Sequence, residues 1–171
     1  MMSGVNTTIE IAGLKDALKT LNKIDKKLRV QITRDYRSIV KPVIADANSL
    51  IPSGVPLSGM ARNWTTKSGF QMLPWQPGHK QKIAAKINTR AIKEYAGRTT
   101  NVGTFSIVYT SATGTMFDMS SQGRLGAALT ARYGGRSRVM WKAWQQNEST
   151  VNAEMEKLVK HVMDLTNREL M

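Results

Sequence analysis

Ten apolar residues in the first third of the chain constrain it more than any other feature: Leu14, Leu18, Leu21, Leu28, Ile32, Tyr36, Ile39, Val43, Ala47 and Leu50. They recur at steps of three and four, apart from one gap of seven that Ile24 fills. That spacing lines one side of an α-helix, so this region must be helical and must bury a stripe against something else. Asn22 to Asp25 predicts an interruption, with Asp25 as N-cap of a second helix running to Leu50. Pro42 falls inside that second helix and predicts a kink, because proline lacks the backbone donor and crowds the preceding turn. Ahead of the stripe, Thr7 to Ile11 sets Ile9 and Ile11 against Thr8 and Glu10, the alternation of a short strand, and Gly13 ends it.

The helical pattern stops at Pro52, and residues 51–78 read as an irregular extended loop or arm. They hold four of the five prolines and two of the four tryptophans, with no apolar period. Irregular loops of this length are uncommon inside a compact domain and are usually functional or disordered. Disordered segments are poor in aromatics, so Trp64, Phe70 and Trp75 predict a loop that packs on a surface. That surface belongs either to its own chain, as a lid, or to a neighbouring subunit. Trp and Arg dominate protein interfaces and Met suits adaptable contacts; Met60, Arg62, Trp64, Phe70 and Trp75 are therefore candidate contact residues.

Beyond Pro77-Gly78, Lys82 to Arg90 alternates Ile83, Ala85, Ile87 and Thr89 with Lys82, Ala84, Lys86, Asn88 and Arg90, a strand with one basic face. Ala91 to Ala96 is expected to form a turn of helix and Gly97 to Gly103 a turn-rich link. Phe105 to Thr110 has the strongest strand composition, with Thr115 to Met119 a weaker companion across a hairpin. Leu125 to Tyr133 predicts a short helix closed by Gly134-Gly135. In the last helix Val151, Met155, Leu158, Val162 and Leu165 follow four-three-four-three spacing, with Asn147 or Ser149 as the expected cap. Trp141 and Trp144, three apart, are expected to share a face and plug a core junction. The order predicts a single α+β domain over 1–171, with a long kinked N-terminal helix and an amphipathic C-terminal helix on a small antiparallel or mixed sheet.

The formal charge of +13 is unevenly placed. Residues 1–51 carry +4, residues 52–144 carry +11 and residues 145–171 carry −2. A basic middle attracts polyanions or an acidic partner surface, and Lys80, Lys82, Lys86, Arg90, Lys93 and Arg98 are the candidate channel or polyanion-facing residues. Such cations suit phosphate contacts without sequence choice. No helix-turn-helix, zinc finger or aromatic-rich ribonucleoprotein strand accompanies them.

Catalytic inventories fit poorly. Cysteine is absent, His79 and His161 have no partner histidine at metal-ligand spacing, and His161 reads as a helix-surface residue. Metal-assisted phosphodiester cleavage needs clustered carboxylates, yet the basic middle contains only Glu94 and Asp118. Gly134 to Arg138 reads either as a backbone nest for an anion or as a helix C-cap followed by solvated charges, and Arg136 and Arg138 join the candidate contacts. No enzyme, cofactor or metal is expected. With no basic-apolar leader and no apolar run near the ~20 residues of a membrane span, a soluble protein is expected.

A short strand ending in Gly, then GLKDALKTLNKIDKKLR, then a helix containing Lys41-Pro42-Val43 and ending in SLIPSG, resembles the neck and tail-completion proteins of long-tailed double-stranded DNA bacteriophages. PLSGMARNW and YGGRSRVMWKAW look like the versions found in phages of actinobacteria. The resemblance implies a non-enzymatic virion component made in the host cytoplasm: a tail-completion, terminator or neck protein at the head-tail joint. It implies a ring of six copies whose loops link neighbouring subunits, connector and tail-tube proteins, with DNA passing through the lumen. Lys80 to Arg98 is more basic than that pattern demands.

Overall fold

The computed structural model describes residues 6–12, 16, 26–65, 67–69, 71–72, 74–75, 82–95 and 98–169. The fold is α+β. In chain order come β1 (Asn6–Ala12), α1 (Lys26–Ile39), α2 (Lys41–Leu50), a 3-10 turn (Ser58–Ala61), the two-residue strands β2 (Trp64–Thr65) and β3 (Gln71–Met72), β4 (Ile83–Tyr95), β5 (Arg98–Tyr109), α3 (Ala112–Met119), α4 (Gly123–Tyr133) and α5 (Met140–Glu169). The chain divides into two compact units. The first comprises Met1–Thr7, Val43–Ala84 and Val108–Gln146, and the second Thr8–Pro42, Ala85–Ile107 and Asn147–Met171.

The main sheet has the order β1-β5-β4, so β5, the strand richest in β-branched and aromatic residues, is central. Thr110 donates its N–H to the Lys82 carbonyl at 2.9 Å, and the Ser106 hydroxyl donates to the Lys86 carbonyl at 3.4 Å. The partners move in opposite directions along the two strands, which makes the β4–β5 pair antiparallel.

In the second unit, Ile32, Tyr36 and Val40 at four-residue steps are buried, as are Phe105 and Ile107 of β5. The Tyr36 and Phe105 rings pack at 4.6 Å between centroids. The sequence spacing also identified the buried positions Val151, Met155, Leu158 and Val162 of α5.

The first unit centres on Phe117, 1% exposed. Its ring meets Trp75 edge-on at 5.7 Å and Tyr133 at 5.1 Å, the T-shaped arrangement that aromatic quadrupoles favour. Val43, Ala47, Ile51, Met60, Leu129, Val139, Met140, Ala143 and Trp144 are buried in the same unit.

Several local expectations give way to tertiary context. The helix expected to kink at Pro42 is instead two helices, interrupted at Val40. As the second residue of α2, Pro42 places its missing donor in a first turn where donors lack intrahelical acceptors, so the proline fits the start of a new helix better than the interior of one long helix. Val40 still donates to the Tyr36 carbonyl at 3.1 Å. Ala91 to Tyr95 is strand, not helix, and β5 begins at Arg98, because pairing along the hairpin overrides weak local preference. Thr115 to Met119 is not a strand but the body of α3, whose N-cap Ser111 accepts from the Gly114 N–H at 3.1 Å. A Cβ at Gly114 would overlap the Tyr109 side chain, so this glycine permits the close passage of α3 over β5.

Helix α5 starts at Met140, well ahead of Asn147 and Ser149. Trp144 is 6% exposed but Trp141 is 49% exposed, so only one of the pair fills the core. Helix α4 agrees with its expectation to within two residues, and Gly134 closes it at φ 86° with its N–H on the Thr130 carbonyl. His161 lies on the surface of α5.

Candidate interaction surface

Residues 51–75 separate into an anchored base and an exposed ribbon. At the base, Pro56 is buried, and its carbonyl accepts from Arg132 Nη1 at 3.1 Å and from the Tyr133 hydroxyl at 3.3 Å. Met60, 2% exposed, donates its N–H to the Leu57 carbonyl at 2.8 Å, and its own carbonyl accepts the Trp75 N–H at 2.7 Å. Trp75 is 5% exposed against Phe117. The Met60–Trp75 hydrogen bond thus brings together the two ends of an excursion, the geometry of an Ω-loop.

Within that excursion β2 and β3 pair antiparallel, Trp64 opposite Met72 and Thr65 opposite Gln71. Arg62, Asn63, Thr65, Lys67, Ser68, Gly69 and Gln71 are exposed and Trp64 is half-buried. Gly69 takes φ 79°, a turn conformation that glycine adopts without strain. Phe70 lies outside the described residues.

Arg138 is also absorbed into the core, at 2% exposure. Its Nε donates to the Gly134 carbonyl at 2.9 Å and its Nη1 to the carbonyls of Phe117 at 2.7 Å and Asp118 at 3.3 Å. Nη2 donates to Thr130 Oγ1 at 3.1 Å. The guanidinium therefore ties the C-terminal ends of α3 and α4, satisfying carbonyls that a helix end leaves without partners. Asp118, fully buried, accepts the Val139 N–H at 2.7 Å and the Met140 N–H at 3.3 Å on its carboxylate. Its carbonyl accepts from Ser137 at 2.7 Å.

Asp118 thus supplies the side-chain cap for the start of the 30-residue α5, from 22 residues before Met140. Burial raises its carboxyl above the ordinary value, while the Val139, Met140 and Arg138 N–H groups and the Arg138 charge pull it back. Burial lowers the Arg138 guanidinium, opposed by Asp118. Beside them the buried Tyr109 hydroxyl has no hydrogen-bond partner among the described residues, and burial, then the Asp118 charge, pushes its ionisation up.

Of the seven candidate contacts, Met60, Trp75 and Arg138 are core residues of this chain, and Arg62, Trp64 and Arg136 remain accessible. Gly134 is a helix C-cap, as the second of the two readings had it. Of the two charges expected to be solvated, only Arg136 is exposed, and Arg138 is buried by its bonds to the ends of α3 and α4. Lys82 and Lys86 are exposed and alternate with buried Ile83 and half-buried Ile87, as the strand pattern requires. Arg90 and Lys93 lie within β4 and Arg98 opens β5; their side chains, and Lys80, lie outside the described residues. Sequence spacing gave no sign of Asp118 as a cap or of Arg132 and Tyr133 as anchors of the loop, because each bond joins distant segments.

Among the described residues no three His, Cys, Asp or Glu side chains gather at metal-binding distance, and no helix is long and apolar enough to cross a membrane. No family model matches the chain, and neither does any curated protein or solved structure.

Proposed function

We propose that the chain is a structural virion protein at the head-tail joint of a long-tailed phage, acting in tail completion, as terminator or as a neck ring. It assembles as a homo-oligomeric ring that connects the capsid connector to the tail tube and lets DNA pass. The sequence resemblance supplies the family, and one observation supports the assembly role: the exposed β2–β3 ribbon carrying Arg62 and Trp64 on a base closed by Met60 and Trp75. A short two-stranded ribbon has little stability by itself, and a tryptophan left half-exposed on it suits a contact completed by a neighbour.

Peptide mass spectrometry of purified particles, with cryo-electron microscopy of their necks, tests this reading. The chain is expected in a ring at the joint; its absence from particles would overturn the assignment. A second reading, non-sequence-specific DNA binding, is favoured by the exposed Lys82 and Lys86. It predicts affinity for random duplex that falls steeply with salt, and salt-insensitive or absent binding removes it.

A further inference from the structure

The first unit has an unbalanced surface. Arg62, Lys67, Lys82, Arg124, Arg132, Arg136 and Lys142 are all exposed, while its only carboxylates are the buried Asp118 and the half-buried Asp46. None of those seven cations forms a salt bridge among the described residues. Two of them are placed in a regular way. Arg124 and Arg132 lie eight residues apart on α4, with exposed Ala128 midway between them. Steps of four keep all three on one helix face, and eight residues of rise separate the arginines by ~12 Å.

Arg124 is the second residue of α4, whose first turn contains no acid. The unpaired N–H groups of a helix start carry partial positive charge, so an arginine there opposes its own helix. A carboxylate arriving from outside would remove that conflict.

The second unit offers the matching pattern. On α5, Glu148 and Glu156 also lie eight residues apart, with exposed Asn152 midway, again spanning ~12 Å on one face. Glu154, on another side of the helix, is paired with Lys157 at 2.6 Å. Glu148 and Glu156 are exposed and form no ion pair among the described residues.

We propose that the Arg124–Ala128–Arg132 face of one copy docks on the Glu148–Asn152–Glu156 face of a second copy. The contact joins two different surfaces, so it propagates head to tail and closes into a ring when the rotation allows. The small Ala128 side chain lets the helices draw close enough for each guanidinium to reach a carboxylate. Arg132 gives one donor to Pro56 and keeps others of its fork for a carboxylate. The inference rests on the ring reading and specifies the surfaces that build it.

The test is light-scattering mass in low salt for the wild type, for R124E/R132E, for E148R/E156R and for the four-fold swap, with circular dichroism confirming each fold. The wild type is expected above monomer mass, each two-fold reversal is expected to weaken association about tenfold or more, and the swap is expected to restore it. Because the chain has no cysteine, oxidising a mixture of A128C and N152C chains is expected to give the mixed dimer in preference to either homodimer. A larger wild-type mass that survives both reversals overturns this docking while leaving the ring reading intact. A wild type that stays monomeric at every concentration, with no preference for the mixed dimer, overturns the docking outright; the ring reading is then judged by the particle images.

Discussion

Asp118 permits a prediction whose sign can be worked from its surroundings. Replacing it by alanine removes the acceptor for Val139 and Met140 at the start of α5, bonds of 2.7 and 3.3 Å within a fully buried site. Loss of an N-cap costs about 1 kcal/mol, and stranding a buried donor adds about 1–3 kcal/mol, so Asp118→Ala is expected to lose ~2–4 kcal/mol. Asp118→Asn keeps one acceptor oxygen and removes the buried charge, and should lose markedly less. The pH dependence follows from burial, which raises the folded-state carboxyl above its unfolded value of 3.8 despite the opposing hydrogen bonds and Arg138. The folded chain therefore holds this proton more tightly than the unfolded chain. The resulting stabilisation is complete below the unfolded value and is lost as pH rises through the folded one. Urea unfolding followed by tryptophan fluorescence, at several pH values, measures wild type minus Asp118→Asn and so cancels the other carboxylates. That difference should move in favour of the wild type as pH falls from neutral towards 4. Movement in the other direction would mean that the N–H donors outweigh burial, and would refute the reasoning.

Tyr109→Phe removes a buried hydroxyl with no partner among the described residues and is expected to raise stability by up to about 1 kcal/mol; a loss of that size in urea unfolding would reveal a hydrogen bond to it. Gly114→Ala forces a Cβ into the fully buried Tyr109 ring and should cost about 1–3 kcal/mol by overpacking, so an unchanged midpoint would count against the close α3–β5 passage. Trp64→Ala is expected to leave the circular dichroism spectrum intact while weakening assembly by about 2 kcal/mol, read by light scattering; undiminished assembly removes Trp64 from the account.

What the sequence showed depended on whether the deciding interaction was local. Periodicity located Ile32, Tyr36, Val43, Ala47 and the buried row Val151 to Val162, because a helix repeats its own contact face. Alternation found the Lys82–Ile87 faces for the same reason. The helix start at Met140 was hidden because its cap, Asp118, comes from another helix. Thr115 to Met119 reads as extended in sequence, and the Ser111 cap on Gly114 that opens its helix is a signal confined to one hydrogen bond. Trp141 and Trp144 show the limit of spacing: three residues turn a helix by 300°, and the 60° between them spans the edge of the core. Arginine was the least legible type. Arg136 is exposed and Arg138 is buried, and only the carbonyls of Phe117, Asp118 and Gly134 around the latter explain why.

The aromatic segment after Leu50 is better understood as two parts with different physics. Its base is stabilised by contacts that need no partner: Met60 and Trp75 are buried, and the Pro56 carbonyl is held by two side chains near the end of α4. Among the described residues its ribbon has two residue pairs in register, and Lys67 to Gly69 between them are exposed. Such a ribbon is positioned by its base more than by its own hydrogen bonds. Aromatic content alone did not distinguish these parts, since Trp64 and Trp75 look equivalent in sequence; the Trp75–Met60 bond marks where the buried base ends and the exposed ribbon begins.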